Sequence, residues 1–311
     1  MSTETARIVA PQQSRDRSVP GRRRIRSAAG AYLIVAPGIA LLGLFVVFPI
    51  LSGMWMSLHK FDGVNPMEWL GAGNYAAILR DPVFLGSVIH TVIFAAIVVV
   101  GKNVLGFGIA ALINRRFHGV KLVRTLLFLP VTLNILVVGS FWSFALALEN
   151  GLVNNVLRFA HLDGLAQAWL SNPAFALPTV ALVEVWRWLP LHVLIYLAGL
   201  QELPPEIDEA AHIDGAGTMR RLFQVTLPML KPIIFVNIML SLTGAFVRSF
   251  ELVWVLTKGT AGTDVVLTSM YTEAFQYGRF GRAAAMGVLL FLLTAVIAFL
   301  YTRLSRGGRD D

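Results

Sequence analysis

The sequence predicts an all-α membrane protein: six transmembrane helices, both termini cytoplasmic, and a short cytoplasmic helix between spans four and five. Three observations carry this reading. Of 311 residues, 56% are apolar and only 14% charged, with a mean hydropathy of +0.68. A soluble domain carries roughly 25% charged residues, so this chain has more apolar surface than one aqueous core hides. The apolar residues gather into runs of about 20, the length that crosses a bilayer. Lys and Arg fall unevenly on the two sides those runs define.

Residues 1–30 are polar, with an Arg-rich stretch at Arg22, Arg23, Arg24 and Arg26, and are expected to form a disordered basic tail. The apolar run at 31–55 is too long for a signal peptide's core and no cleavage site follows it, so it reads as a retained anchor that opens a membrane domain over 31–305. Further spans are expected at 86–113, 122–148, 174–200, 229–256 and 283–304. The loop at 56–85 holds Gly63, Pro66, Gly71 and Gly73, and the loop at 149–173 is amphipathic. No internal repeat is evident.

Orientation follows from the basic residues. The N-terminal tail carries Arg7, Arg15, Arg17 and the Arg22 to Arg26 cluster; Arg115, Arg116, Lys121 and Arg124 lie between spans two and three. Arg220, Arg221 and Lys231 flank spans four and five, and Arg303, Arg306 and Arg309 follow span six. The opposite side has only Lys60, Arg80, Arg158, Lys258, Arg279 and Arg282. The formal charge of +8 is thus explained by insertion topology and lipid headgroups rather than by nucleic acid, for which no aromatic-interleaved basic module is present. The chain has no cysteine, which excludes thiolate chemistry and disulfides.

The polar segment at 201–228 predicts helix, turn, helix. Pro204 and Pro205 start a helix, Glu206, Asp208 and Glu209 suit its positive end, and Gly215 and Gly217 stop it. Ile207, Ala210 and Ala211 form a narrow apolar face, and Met219, Leu222 and Phe223 repeat the spacing. A helix this short is marginal alone, and two alanines on an exposed face admit another surface closely.

The run Glu209-Ala210-Ala211-His212-Ile213-Asp214-Gly215-Ala216, with Thr226-Leu227-Pro228 downstream, resembles the EAA loop of ABC importer permeases, in the branch similar to maltose and glycerol-3-phosphate permeases. The resemblance runs from about Tyr32 onward and includes Gly73-Asn74-Tyr75, Arg124-Thr125-Leu126-Leu127-Phe128-Leu129-Pro130 and Trp186-Arg187-Trp188-Leu189-Pro190. It implies a multi-pass permease subunit of the bacterial inner membrane that is not itself an enzyme and forms half of a carbohydrate pathway. It further implies that Glu209, Ala210, Ala211, Asp214, Gly215 and Ala216 dock into a dimeric cytoplasmic ATPase. That ATPase would bind ATP and Mg, leaving this chain without a cofactor. The other implied partners are a second permease and an extracytoplasmic solute-binding protein touching the loop at 56–85, the loop at 259–268, or both. The ending Arg306-Gly-Gly-Arg-Asp-Asp311 does not resemble the Gly-rich tail of the companion permease type, which points to the first permease of the pair.

Five charged residues fall inside spans, where each costs about 2.5–3.5 kcal/mol and usually faces a bundle interior or a water-filled path. Glu184 and Arg187 in span four, and Arg248 and Glu251 in span five, are each spaced to pair along one helix face. Such couples serve equally to hold helices together or to bind a solute. With Trp188, Phe246 and Ser249 beside them, they offer the mixture of hydrogen-bonding and aromatic groups a sugar requires. The family's midplane site, matched by distance from the loop, falls on Glu184 and Trp188 in span four and on Ala245 and Phe246 in span five. Lys102 and Asn103 fit a buried helix contact and a pathway position equally well; Asn134 and Asn237 are ambiguous in the same way. His90, His192 and His212 lack metal-ligand spacing with any acid cluster, so no metal is expected. No Walker-type phosphate loop occurs. The alternatives are an ion-coupled secondary transporter using Glu184 or Glu251 as its proton carrier, and a membrane enzyme, for which no nucleophile, base and metal constellation is evident.

Overall fold

Among the described residues of the computed structural model, which are residue 32 and residues 34–114 and 120–306, five helices are long and apolar enough to cross a membrane, or six if a sharply bent helix pair is counted as one span. The basic tail at 1–30, Arg115, Arg116 and the final residues 307–311 lie outside the described residues. The chain divides into two units, Met1–Ser52 and Gly53–Asp311. Apart from Tyr32, the described part of the first lies in α1 (Ile34–Ser57). The second opens on the end of that helix and a small antiparallel hairpin, β1 (His59–Lys60) and β2 (Glu68–Trp69), in which His59 pairs with Trp69 and Lys60 with Glu68. Gly281 lies against the hairpin so closely that a Cβ there would sit 2.0 Å from the His59 carbonyl oxygen.

After α2 (Gly73–Leu79), the Asp81 carboxylate accepts the Val83 N–H at 2.9 Å and Pro82 occupies the first helical position, a start signal for α3 (Pro82–Ile113). The start is earlier than the predicted 86, because cap and proline recruit a polar turn ahead of the apolar run. At 32 residues α3 is about 48 Å long, more than the hydrocarbon core alone requires.

The predicted third span is broken. The helices α4 (Val120–Thr132) and α5 (Ile135–Ala145) meet at a 106° bend between their span portions. Pro130 removes a backbone donor near the end of α4, and Asn134, in extended conformation, accepts the Leu136 N–H on its side chain at 2.9 Å to start α5 afresh. Asn134, left open between helix glue and pathway by sequence, is therefore a cap. The amphipathic loop contains α6 (Leu152–Phe159), fastened by buried Asn154. Its amide donates to the carbonyls of Ala147, Leu148 and Gln167, while its oxygen accepts from Gln167 N–H and Trp169 Nε1.

Three long helices complete the bundle: α7 (Ala176–Glu202), α10 (Lys231–Leu256) and α12 (Phe280–Arg306). Between the first two lie α8 (Pro205–Ile213) and α9 (Thr218–Arg221), the latter continued by a π turn at Leu222–Thr226 and a last turn at Leu227–Met229. Between the last two lies α11 (Val266–Tyr271). The core is the crossing of α3, α7 and α10, where Phe94, Val98, Val180, Ala181, Phe246 and Leu252 pack together. Gly101 and Gly106 let α3 approach α7: a Cβ at Gly101 would meet Val185 Cγ2 at 2.8 Å, and one at Gly106 would meet His192 Cβ at 3.3 Å. Large apolar side chains such as Val100, Val104, Leu182, Phe291 and Leu300 point outward, as expected where lipid is the solvent.

Candidate functional site

The charged residues predicted inside the spans converge where α3, α7 and α10 cross, but they pair differently from the sequence expectation. Glu184 does not pair with Arg187, nor Arg248 with Glu251. Lys102 Nζ on α3 donates to Glu184 Oε1 on α7 at 2.9 Å, with the two side chains 0% and 1% exposed. Arg187 Nη1 reaches across to Glu251 Oε2 on α10 at 3.4 Å, and Arg248 Nε stands 3.9 Å from Glu184 Oε1. Lys102 has no carboxylate on its own helix with which to pair. The glycine-mediated approach of α3 brings it to Glu184 instead, because a cation in a bilayer gains most from the nearest carboxylate.

Trp188, one turn beyond Glu184, is the aromatic centre of the group. The Arg248 guanidinium carbon lies 4.1 Å from its ring centroid and that of Arg187 5.6 Å. Arg248 lies back along its own helix over Gly244, where a Cβ would stand 2.1 Å from its Nη2. The remaining predicted site residues are placed otherwise. Ala245, Phe246 and Ser249 are buried in helix packing, and the Ser249 hydroxyl donates to the Phe246 carbonyl of its own helix at 3.2 Å.

A second polar group, not predicted as a unit, extends from the ionic cluster along the same helices. Tyr196 donates to Asn103 Oδ1 at 2.6 Å, Asn103 Nδ2 to Ser241 Oγ at 2.9 Å, and His192 Nδ1 lies 2.8 Å from Asn237 Oδ1. A sequence signal was available: Glu184, Trp188, His192 and Tyr196 recur every fourth residue on α7, and Asn237, Ser241, Gly244 and Arg248 follow helical spacing on α10. Asn103, half-buried, and Asn237, buried, both ambiguous in sequence, are thus partners between helices.

The segment predicted as helix, turn, helix is built that way. In α8, Asp208 accepts from Arg221 Nη1 at 2.7 Å, tying it to α9. The helix ends in a Schellman turn: Gly215 has φ +79, its N–H donates to the His212 carbonyl at 3.1 Å, and the Ala216 N–H donates to the Ala211 carbonyl at 3.0 Å. Gly215 is free of any neighbour that a side chain would strike, so its constraint is backbone conformation alone. Glu209, Ala210, Asp214 and Gly215 are exposed and Ala211 and Ala216 half-buried. Ile213, Met219 and Phe223 are exposed apolar groups on the same segment.

Where α3 begins and α10 ends, a cleft of about 570 Å³ is lined by Asp81, Trp254, Lys258, Asp264, Glu273 and Tyr277 among others. It joins the ends of the loops at 56–85 and 259–268, and Arg282 bridges Asp81 and Glu273 beneath it. Among the described residues no group of three or more His, Cys, Asp or Glu side chains is arranged to hold a metal.

Residues 102–309 match the family described as binding-protein-dependent transport system inner membrane component. The chain is 30% identical over 285 residues to a probable ABC transporter permease protein, YurN, of Bacillus subtilis, covering 90% of this chain and 97% of that one. It is 30% identical over 299 residues to the trehalose/maltose transport system permease protein MalF of Thermococcus litoralis, covering 95% and 100%. In fold it is similar to a chain in the crystal structure of a bacterial alginate ABC transporter in complex with an alginate pentasaccharide-bound periplasmic protein. That match has a TM-score of 0.81 and 22% identity and covers 91% of this chain and 96% of the other.

Proposed function

We propose, from the fact that this chain belongs to the family of binding-protein-dependent transport system inner membrane components, that it is the first permease of an ATP-driven carbohydrate importer. In this reading both termini face the cytoplasm, and the chain forms half of a translocation pathway whose other half is a second permease. A relative of nearly the same length is named for trehalose and maltose transport, which supports a sugar as the solute. A solute-binding protein on the outer face hands it over at the cleft between Asp81 and Glu273; the fold neighbour is in complex with a periplasmic protein of that kind.

The observation that carries the reading is the exposed segment from α8 to α9, with its small-residue face at Ala210 and Ala211 and its Gly215 turn. Glu209, Ala210, Ala211, Asp214, Gly215 and Ala216 dock in a groove of a separate dimeric ATPase, which binds ATP and Mg. Ile213 and Phe223 supply the apolar area such a contact needs. Closure of the ATPase dimer then moves α7 and α10, the two spans that the segment joins. Glu184, Arg187, Trp188, Arg248 and Glu251 line the path, where solute passes between helices held by the Lys102 to Glu184 pair. Ala245, Phe246 and Ser249 support that wall from within the helix packing.

The test is purification in mild detergent of this chain expressed with its neighbouring genes, followed by mass spectrometry and an ATPase assay. Recovery of a second permease and an active ATPase is the expected result. A chain that purifies alone and transports without ATP would overturn the reading in favour of an ion-coupled carrier.

A further inference from the structure

The ionic cluster between α7 and α10 has an unbalanced chemistry. Three cations, Lys102, Arg187 and Arg248, face two carboxylates, Glu184 and Glu251. Both carboxylates are engaged: Glu184 is fully buried against Lys102, and Glu251 is held by Arg187. Arg248 is left over. Among the described residues it makes no hydrogen bond; its contacts are the Trp188 ring at 4.1 Å and the distant Glu184 oxygen at 3.9 Å. Its side chain is 28% exposed and that of neighbouring Glu251 47%, so the cluster is open on the α10 side.

The unpaired atoms are of one kind. Arg187 Nε, Arg248 Nε and Trp188 Nε1 are buried without a hydrogen-bond partner. All three are N–H donors, and neither Arg nor Trp carries an acceptor. A neutral sugar hydroxyl both donates and accepts, and uses only half of that capacity against these three unpaired donors. Two guanidinium groups gathered on one indole repel each other, and inside a bilayer that repulsion is little screened. A planar or tetrahedral oxyanion answers each of these demands, since it accepts several N–H bonds at once and neutralises the surplus charge.

We propose that Arg187 and Arg248, held about the indole of Trp188, form an oxyanion subsite, and that the carried solute is a sugar bearing a carboxylate, sulfonate or phosphate group. This rests on the reading of the chain as half of a carbohydrate importer. The Trp188 face supplies the apolar surface for a sugar ring, and the guanidinium forks take the charged substituent. Gly244 is a positioning residue, because the absence of a Cβ there allows the Arg248 guanidinium to lie back toward Trp188.

The experiment uses the complete importer with its binding protein in proteoliposomes. A mixed polysaccharide hydrolysate is separated by anion exchange into acidic and neutral oligosaccharides, the two fractions are recombined at equal concentration, and the accumulated species are identified by mass spectrometry. The expected result is accumulation of anionic species. Arg248→Gln should lower the acidic-to-neutral ratio by at least about tenfold, the scale of one lost charge-assisted bond pair. Arg248→Lys, which keeps the charge but loses the fork, should lower it less. Accumulation of neutral species by the wild type, or a ratio unmoved in both variants, overturns the subsite. Where neither variant assembles, the charge class taken up by the wild type decides alone. A wild-type complex that accumulates nothing from either fraction overturns the importer reading itself, and the subsite with it.

Discussion

Removing either partner of the Lys102 to Glu184 pair should have unequal cost, and the structure sets the order. At an effective dielectric of about 20, opposite charges 2.9 Å apart attract by about 6 kcal/mol, and charges 3.9 Å apart by about 4 kcal/mol, before desolvation is subtracted. In Lys102→Met, Glu184 loses the stronger attraction but keeps Arg248 at the longer distance, and the desolvation cost of the buried ammonium goes with it, so the loss should fall below the about 3–5 kcal/mol of an uncompensated buried charge. In Glu184→Met, Lys102 is buried with no other carboxylate paired to it among the described residues, and Arg248 loses the one anion it is paired with among them; such stranding of a buried charge costs about 3–5 kcal/mol. The double variant Lys102→Met with Glu184→Met removes both desolvated charges and should be less destabilised than Glu184→Met alone, because apolar replacement of a buried pair is often neutral. Equilibrium unfolding in mixed detergent, followed by tryptophan fluorescence and circular dichroism, measures all three. A Lys102→Met variant as unstable as Glu184→Met, or additive losses in the double variant, would refute the reasoning.

Four further outcomes are expected. Gly215→Val forces a β-branched residue to φ +79, at about 1–3 kcal/mol of local strain; membrane insertion should persist while ATPase recovery on the affinity-purified chain falls. Normal recovery with normal uptake would remove the turn from coupling. Asn154→Ala deletes the hydrogen bonds that fasten α6 to both flanking loops, and hydrogen exchange over 147–169 should quicken by tenfold or more, the scale of about 1–3 kcal/mol for unsatisfied buried groups. Gly281→Ala places a Cβ 2.0 Å from a backbone oxygen of His59, which cannot swing aside, so the hairpin should separate from α12 and expose the half-buried Phe280 to proteolysis. The hairpin loop should respond to acid late. The Asp62 carboxylate accepts backbone N–H groups of Asn65 and Val64 and the Asn65 side-chain amide, which lowers its pKa from 3.8 to about 2. A depressed folded pKa means the turn's stabilisation is complete above about pH 4 and fades as pH falls through 2. Carboxyl carbon shifts of labelled Asp62 would check this, and titration near 3.8 would contradict it.

Much of the architecture was legible in the sequence because bilayer thickness fixes run length and Pro and Gly punctuate it. The Gly215 stop, the second short helix around Met219 and the positions of spans four, five and six follow from local rules that hold whatever the neighbours are. Local rules also contained the break in span three, since Pro130 and Asn134 four residues apart signal an end and a new cap, but a hydropathy window averages over both. Asn154 gave no such signal, because its carbonyl partners come from turns whose positions are set only by the fold.

The ionic cluster marks the boundary between the two kinds of information. Sequence alone determined that Glu184, Arg187, Arg248 and Glu251 lie within spans and that charges so placed need partners. Tertiary structure decided which partners. Helical spacing offered Arg187 to Glu184 and Glu251 to Arg248, yet Lys102 arrives from 82 residues away through the gap left by Gly101 and Gly106 and claims Glu184. A long side chain reaches several positions on its own helix and on its neighbours. In a medium that screens charge weakly, the choice falls to the packing of the helices, which no local pattern encodes.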